Sequence, residues 1–577
     1  MPFTARGRAA CTTSQVVVPV GPSADSVTIR PAATLVPLRA AGGGLEVLLL
    51  QRHAGSAFLG GAYVFPGGAL DREDASRAWS TRIIGLGSAA ANRKLRVTKG
   101  ALAYWVAAVR ECFEESGLLY AVDRDGEPPS LGRLPAIVRA RAALNARTTT
   151  FAAFLAAEDL YIPAGSLAYF AHWITPPLRS RRFDARFFLA QAPEGQDAMH
   201  DSVETVHSLW IAPQEALDRA ARGEIEMAFA TQSTLRLLAR FGTPDEAIAH
   251  ARSLQAVDCN RPCVAQGCEG EKIFRLGDAP YHEIHWSDPD ETTQSTYDLT
   301  PDVPKRLDRY VTRIVAANPG VMTGPGTNTY LVGEEALAVI DPGPLLDEHV
   351  RAILAAADGR IRWIVCTHTH RDHSPAAAAL KAETGAQLIG RPARPGDRQD
   401  GTFAPDHAPQ DGERLVLADG VALQAIHTPG HASNHLCYLL EPTRMLFTGD
   451  HVMQGSTVII DPPDGDMRAY LASLDRLLEL DPAILAPGHG YLIGTPQREV
   501  RRLIAHRLAR ENKVRAALEA LGPATLEALV PEVYDDVDPR RHRAAARSLL
   551  AHLEKLIAEG TVCRDEERFA LVPAGQC

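Results

Sequence analysis

The stretch "CTHTHRDHSP", residues 366–375, places three histidines and an aspartate within six positions, directly after the apolar run "IRWIV". Imidazole nitrogens and carboxylate oxygens bind borderline divalent ions. A turn after a strand can aim His368 and His370 at one point, and the adjacent Asp372 and His373 at a neighbouring one. Further groups of the same kind return downstream. "HTPGHASNH" supplies His431 after the run "VALQAIHT", "MLFTGDH" supplies Asp450, and "AILAPGHGY" supplies His489. Each ends an apolar, strand-like run and is followed by glycine or loop, which is how an α/β scaffold presents a site at one edge. Five imidazole nitrogens and two carboxylates suit two divalent ions, zinc first, with iron or manganese as alternatives. Two cations sharing a water lower its pKa toward neutrality while one polarises a carbonyl or phosphoryl oxygen, so hydrolysis is the expected chemistry. Asp372 can orient that water or pass on its proton.

A second group of chemically capable residues lies upstream. "VFPGGALDRED" is followed, well downstream, by "AVRECFEESGLL", in which Glu111, Glu114 and Glu115 stand at i, i+3 and i+4. A helix puts these three carboxylates on one face. Like charges so close are unfavourable unless a cation neutralises them, and hard carboxylate oxygens suit Mg²⁺ or Mn²⁺. Arg110 beside them can hold one glutamate by paired hydrogen bonds. Glu204, in "DSVETVHSLWI", is a candidate further ligand or base.

The elements that must carry these residues fall into three segments within 577 residues, too many for one core. Residues 30–250 open with two strand-like runs, "ATLVPLRA" and "LEVLLLQR", joined by the turn-like "AGGG". Residues 305–500 alternate strands with short helices, and 501–577 carry helical patterns followed by a strand pair, "GTVCRDEERFALV". Residues 251–304, polar and without clear period, read as a linker whose Cys259, Cys263 and Cys268 are free thiols. The basic helix "REVRRLIAHRLARENKVR" reads as a solvated connector. Apolar content of 46%, charged content of 23% and a formal net charge of −10 are those of a globular protein and give no support to general nucleic-acid binding. Nine cysteines without scaffold spacing point to a reducing compartment, the N-terminal stretch lacks the apolar core of a signal sequence, and no run reaches the length of a membrane span. A cytoplasmic protein is expected, with no membrane partner and with its oligomeric state undetermined.

The strings "THTHRDHS", "TPGH", "FTGD" and "PGHG", in this order, resemble the metallo-β-lactamase superfamily over residues 310–500. That resemblance implies an αββα sandwich in which His368, His370 and His431 bind a first metal, Asp372, His373 and His489 a second, and Asp450 bridges them. "NPGVMTGPGTNTYLVG" before the site, and "ATLEALVPEVY", "RAAARSLLAHLEKLIAEG" and "TVCRDEERFALV" after it, resemble the branch of lactamase-like protein two, which continues into a winged helix. Some members of that branch are endoribonucleases acting on single-stranded RNA.

"RECFEESG" with "PGG" at Pro66–Gly68 resembles the box of Nudix hydrolases, which split a nucleoside diphosphate linked to another group and have an α/β/α sandwich fold. Asp74 stands where the box has glutamate, and 35 residues separate it from Arg110, far more than the box normally holds. A subgroup similar to peroxisomal coenzyme A diphosphatases carries such an insertion, although Ala57 replaces the arginine expected in its coenzyme A signature. The chain is thus expected to be a multidomain α+β and α/β protein and a two-headed hydrolase. Its Nudix-like head would use Mg²⁺ or Mn²⁺ on Glu111, Glu114 and Glu115 against a nucleoside-diphosphate derivative such as coenzyme A or an acyl-coenzyme A. Its second head would use two zinc ions, or iron or manganese, to cleave an ester, thioester or phosphodiester of a small molecule. The alternative expectation is a ribonuclease regulated by a nucleotide-binding Nudix-like module.

Overall fold

The computed structural model describes residues 28–42, 44–56, 59–177, 181–201, 204–394 and 399–572; Ala57 lies outside them. The chain divides into two compact units, Met1–Arg261 and Pro262–Cys577.

The first unit is built on a mixed sheet. Strand Ile29–Ala41 pairs antiparallel with Gly44–Arg52 across the expected turn, antiparallel with the short strand Gly67–Ala69, and parallel with Arg182–Gln191. Strand Ala168–Ile174 continues the sheet beside Arg182–Gln191, and Thr205–Ile211 pairs with Gly44–Arg52. The run "LEVLLLQR" is apolar without alternation because both faces of its strand are covered. Leu48 and Leu50 pack with Trp105 and Phe113 of helix Leu102–Ser116, while Val47 and Leu49 pack with Leu235 and Ile248 of helices Phe229–Leu238 and Pro244–Ser253. The result is a sheet between helical layers. Removing a side chain such as Phe113, fully buried under that sheet, would cost about 3–5 kcal/mol.

The second unit stacks two sheets. One runs in the order Lys305–Arg306, Val311–Val315, Asn328–Gly333, Leu337–Ile340, Ile361–Val365, Gln387–Ile389. The other runs Arg414–Ala418, Val421–His427, Leu436–Leu440, Met445–Gly449, Ile484–Pro487. Tyr330, Ile340 and Val365 meet Leu423, Tyr438 and Phe447 between the sheets. Helices Asp347–Ala357 and Ala376–Thr384 cover the outside of the first sheet through Ile353 and Leu380, and Met467–Leu480 covers the second through Leu474 and Leu477. This is an αββα sandwich. Helices Leu526–Val533 and His542–Ala558 and the hairpin Val562–Asp565/Arg568–Leu571 then form a winged helix around Leu529, Leu549 and Phe569.

Two expectations need correction. Residues 251–304 do not form a featureless linker: helix Pro244–Ser253 runs into them, and hairpin Cys263–Ala265/Lys272–Phe274 packs with helix Tyr281–Ser287 through Cys263, Tyr281 and Ile284. A buried ion cluster anchors this strap. Glu283 accepts from both Nη atoms of Arg313 at 2.6 and 2.9 Å, from Lys305 Nζ at 2.7 Å and from the Leu492 amide at 3.2 Å. Burial alone would raise the Glu283 pKa, but Arg313 and Lys305 outweigh it and hold it at about 2. Polar composition hid this strap because its core is small and its anchor is ionic. The second correction concerns the basic helix, which spans Pro496–Leu521 across the boundary drawn at 500. It is not a solvated connector. Val500 and Leu503 enter the core beneath the second sheet, and Val514 and Leu518 enter that of the winged helix.

Candidate functional site

The strand-end residues converge in two adjacent groups. Ligand-capable atoms of His368, His370 and His431 all lie within 4.8 Å of one another, as do those of Asp372, His373, Asp450 and His489. Strand Ile361–Val365 delivers the loop carrying His368 to His373, Met445–Gly449 delivers Asp450, and Ile484–Pro487 delivers His489. Gly488 permits the last approach: a Cβ there would stand 2.7 Å from Asp450 Oδ1 and from the His373 ring.

Four of the five imidazoles are oriented from behind. His431 Nδ1 donates to the Ile459 carbonyl at 2.8 Å and His489 Nδ1 to the Gly326 carbonyl at 3.1 Å, which leaves both Nε2 atoms as lone-pair donors. His373 Nδ1 donates to Asp341 Oδ2 at 2.9 Å. Thr367 gives its hydroxyl proton to the same Oδ2 at 2.8 Å and accepts from His368 Nδ1 at 3.0 Å. One aspartate therefore sets two imidazoles. Asp341 is the residue that sequence reasoning missed, although it too ends an apolar strand, Leu337–Ile340. His435, from the same string as His431, stacks on His368 with ring centroids 5.1 Å apart and belongs to neither group.

Divalent ions fit this donor set. His370 Nδ1 sits 3.0 Å from His368 Nε2 and 3.0 Å from His431 Nε2. Because the last two carry lone pairs, one shared proton cannot satisfy all three nitrogens, whereas a cation can. In the second group His373 Nε2, His489 Nε2 and Asp450 Oδ1 are buried without a hydrogen-bond partner. Burial, and then the charges of facing histidines, push His368 well down, and His370 down to about 3. In the second group burial acts in the same direction but is outweighed by carboxylates: Asp372, Asp450 and Asp341 raise His373, and Asp450 and Asp372 raise His489 to about 9. The carboxylates that favour a proton on His373 and His489 would equally favour a metal ion displacing it, while His368 and His370 already stand as neutral ligands.

The carboxylate helix is arranged differently. Glu111, Glu114 and Glu115 do not bring three ligand oxygens within 4.8 Å of one another. Arg110 stands among them. It grips Asp74 through Nε and Nη2 at 3.0 and 2.8 Å, and its Nη1 donates to Glu111 at 2.9 Å and Glu114 at 3.0 Å. The paired hydrogen bond expected for a glutamate thus goes to Asp74, and the long insertion closes so that Asp74 and Arg110 meet. Glu115 turns away to accept from the Gly67 amide at 3.0 Å, and a Cβ on Gly68 would lie 2.5 Å from the Glu111 carboxyl, which explains the paired glycines. Burial raises Glu111 to about 7 against Arg110, with Glu114 adding to the rise. Burial and then Glu111 raise Glu115 well above the carboxylate range, and Glu204, exposed on the surface, adds to it. A cation brought to this face would relieve that cost. Cys259, Cys263 and Cys268 join no ligand group among the described residues.

His370 and His431 of the first group, with Asp372 and Asp450 of the second, open into a cleft of about 1240 Å³. Among the described residues, no helix is long and apolar enough to cross a membrane.

Comparison with known proteins agrees with this architecture. The metallo-beta-lactamase superfamily profile matches residues 322–489, the NUDT19 Nudix domain residues 88–235, and the beta-lactamase associated winged helix domain residues 525–569. The beta-lactamase-like protein 2 homolog of Caenorhabditis elegans is 32% identical over 45% of this chain and 88% of its own length. Thioesterase pkgB of Emericella nidulans is 32% identical over 41% of this chain and 67% of its own. The atrochrysone carboxyl ACP thioesterase of Aspergillus chevalieri is 30% identical over 44% and 82%. Divalent metal ions are implied for both catalytic folds. The chain is a hydrolase that belongs to the metallo-β-lactamase superfamily, among the relatives of β-lactamase-like protein 2, with a Nudix domain of the NUDT19 type joined to the metallohydrolase and its winged helix.

Proposed function

We propose that the second unit hydrolyses a small-molecule acyl thioester with two zinc ions, iron or manganese being the alternatives, and that the first hydrolyses a nucleoside-diphosphate-linked compound with Mg²⁺ or Mn²⁺. One observation carries the reading: seven strand-end side chains form two adjoining donor groups, with His370, Asp372, His431 and Asp450 reaching the wall of a single cleft. His368, His370 and His431 would hold one ion, Asp372, His373 and His489 the other, and Asp450 would stand between them. When bound, the ions supply Lewis acidity and activate water. Asp341 fixes the rings of His373 and, through Thr367, His368. Asp372, whose side chain keeps 28% of its exposure, is the carboxylate placed to orient a water from the cleft and accept its proton. Two relatives named as thioesterases favour the thioester over other acyl bonds.

In the first unit Glu111, Glu114 and Glu115 would take the cation, with Arg110 and Asp74 locking the helix to the strand Gly67–Ala69. An acyl-coenzyme A contains both scissile bonds, so one molecule can serve as substrate for both heads. The test is mass spectrometry of products from a short acyl-coenzyme A with Mg²⁺ and Zn²⁺ present. Free acid with intact coenzyme A is the expected product of the second unit, and acyl-phosphopantetheine with adenosine 3′,5′-bisphosphate that of the first. Glu115→Gln should remove only the latter pair. If metal-loaded protein yields neither, the acyl-coenzyme A reading is wrong.

A further inference from the structure

We propose that the cleft also binds a phosphate group at the end of the substrate remote from the scissile bond, with Arg498 and Arg502 as its receptors and Arg547 of the winged helix as the third. This rests on the thioester reading of the second unit.

The cleft has chemically distinct walls. His370, Asp372, His431 and Asp450 line one part. Helix Pro496–Leu521 contributes Arg498, Arg502 and His506, spaced by four and therefore on one helix face. Arg547 lines it from helix His542–Ala558, so the winged helix forms part of the substrate wall. At about 1240 Å³ the space exceeds the roughly 300–1,000 Å³ of an ordinary small-molecule pocket, leaving room for an acyl arm and an anionic end.

Arg502 and Arg547 retain donors for that end. Arg502 pairs with Glu499 at 2.6 Å through one edge, and Arg547 reaches Asp461 only at 3.4 Å, whereas a guanidinium has five N–H groups in a fork suited to phosphate. Half-buried His506 is held down at about 4, by burial first and then by Arg507, Arg510 and Arg502, as expected of a wall with positive potential. A nucleic-acid track is less well matched. The turn of the wing presents Asp565, Glu566 and Glu567 to solvent, where a strip of lysine and arginine would be needed.

Acetyl-4′-phosphopantetheine and acetyl-pantetheine test the inference, because they share the thioester, differ by one phosphate and contain no diphosphate for the first unit. With full-length, zinc-loaded protein the phosphorylated compound should show a KM lower by about tenfold at similar kcat, the pattern of uniform binding. Arg498→Ala with Arg502→Ala should abolish that difference and leave acetyl-pantetheine turnover unchanged, while the paired lysine variants should keep part of it. Equal KM values in the unaltered protein, or a difference that survives the alanine pair, would overturn the inference. If neither compound is hydrolysed, the thioester reading fails separately, and equilibrium binding of 4′-phosphopantetheine decides: weaker binding by about tenfold in the alanine pair upholds the arginine site, and equal binding refutes it. Loss of single-stranded oligoribonucleotide binding alone, with phosphopantetheine binding intact, would assign the arginines to RNA. The same acyl group offered on coenzyme A and on an acyl-carrier protein identifies which bearer of the phosphate depends more on the pair.

Discussion

The carboxylate helix and the strand-end cluster concentrate charge in different ways. Glu111, Glu114 and Glu115 come from one turn and a half of a single helix, and a resident guanidinium, Arg110, occupies their midst. The histidines and aspartates of the second unit come from loops far apart in the chain, and carboxylates and imidazoles there compensate one another directly. Local spacing gathers like charges cheaply but leaves them needing a counterion. Convergence from several strands costs more chain ordering but allows opposite partners to be mixed, with most rings set from behind by a carbonyl or, directly or through Thr367, by Asp341.

Altering each region should expose that difference. Asp450→Asn alters a carboxylate of the second donor group whose Oδ2 also lies 3.8 Å from His431 Nε2 of the first, and hydrolysis of an acyl thioester should fall by roughly 10³-fold or more, several kcal/mol of transition-state stabilisation, measured as kcat/KM with metal content determined in parallel. Glu283→Gln, outside both regions, leaves Arg313 buried with a neutral partner and should destabilise the second unit by about 3–5 kcal/mol in denaturant titration. Its pH dependence follows from a folded pKa held near 2. Because that value lies below the unfolded one, the stabilisation is present above about pH 4.5 and disappears as pH falls toward 2, so the variant should show a flatter acid limb. Asp341→Asn disturbs both His373 and Thr367, and zinc affinity should drop by about 10–100-fold in competition with a chelator.

The smallest effect concerns the helix and has the opposite sign. Glu115→Gln keeps an acceptor for the Gly67 amide while removing a buried charge, so the first unit without Mg²⁺ should gain about 1 kcal/mol in thermal unfolding even as diphosphatase activity is lost. A drop in stability instead would mean that the carboxylate is well compensated without a cation, and the contrast between the regions would collapse.

Much of the second region was legible because every ligand-capable residue follows an apolar run, so strand ends and chemistry coincide in "IRWIVCTHTH", "MLFTGD" and "AILAPGH". Asp341 escaped notice because a lone aspartate after a strand has no partner at a telling spacing; only the fold brings it to Thr367 and His373. In the first region the i, i+3, i+4 glutamates were readable, but the contact of Asp74 with Arg110 was not, since nothing in the intervening 35 residues states that the chain returns. The arginine wall was hidden for a related reason. A basic helix looks solvated until the elements packed on either side of it are known.

The strap that places Glu283 against Arg313 bears on how such a protein can be divided or assembled from parts. A fragment starting at residue 322, where the superfamily profile begins, lacks both Glu283 and the strand that carries Arg313, and one starting at 305 keeps Arg313 without its carboxylate. The unit that can be excised, or exchanged between fusion partners by recombination, therefore starts near Pro262, where the second compact body begins.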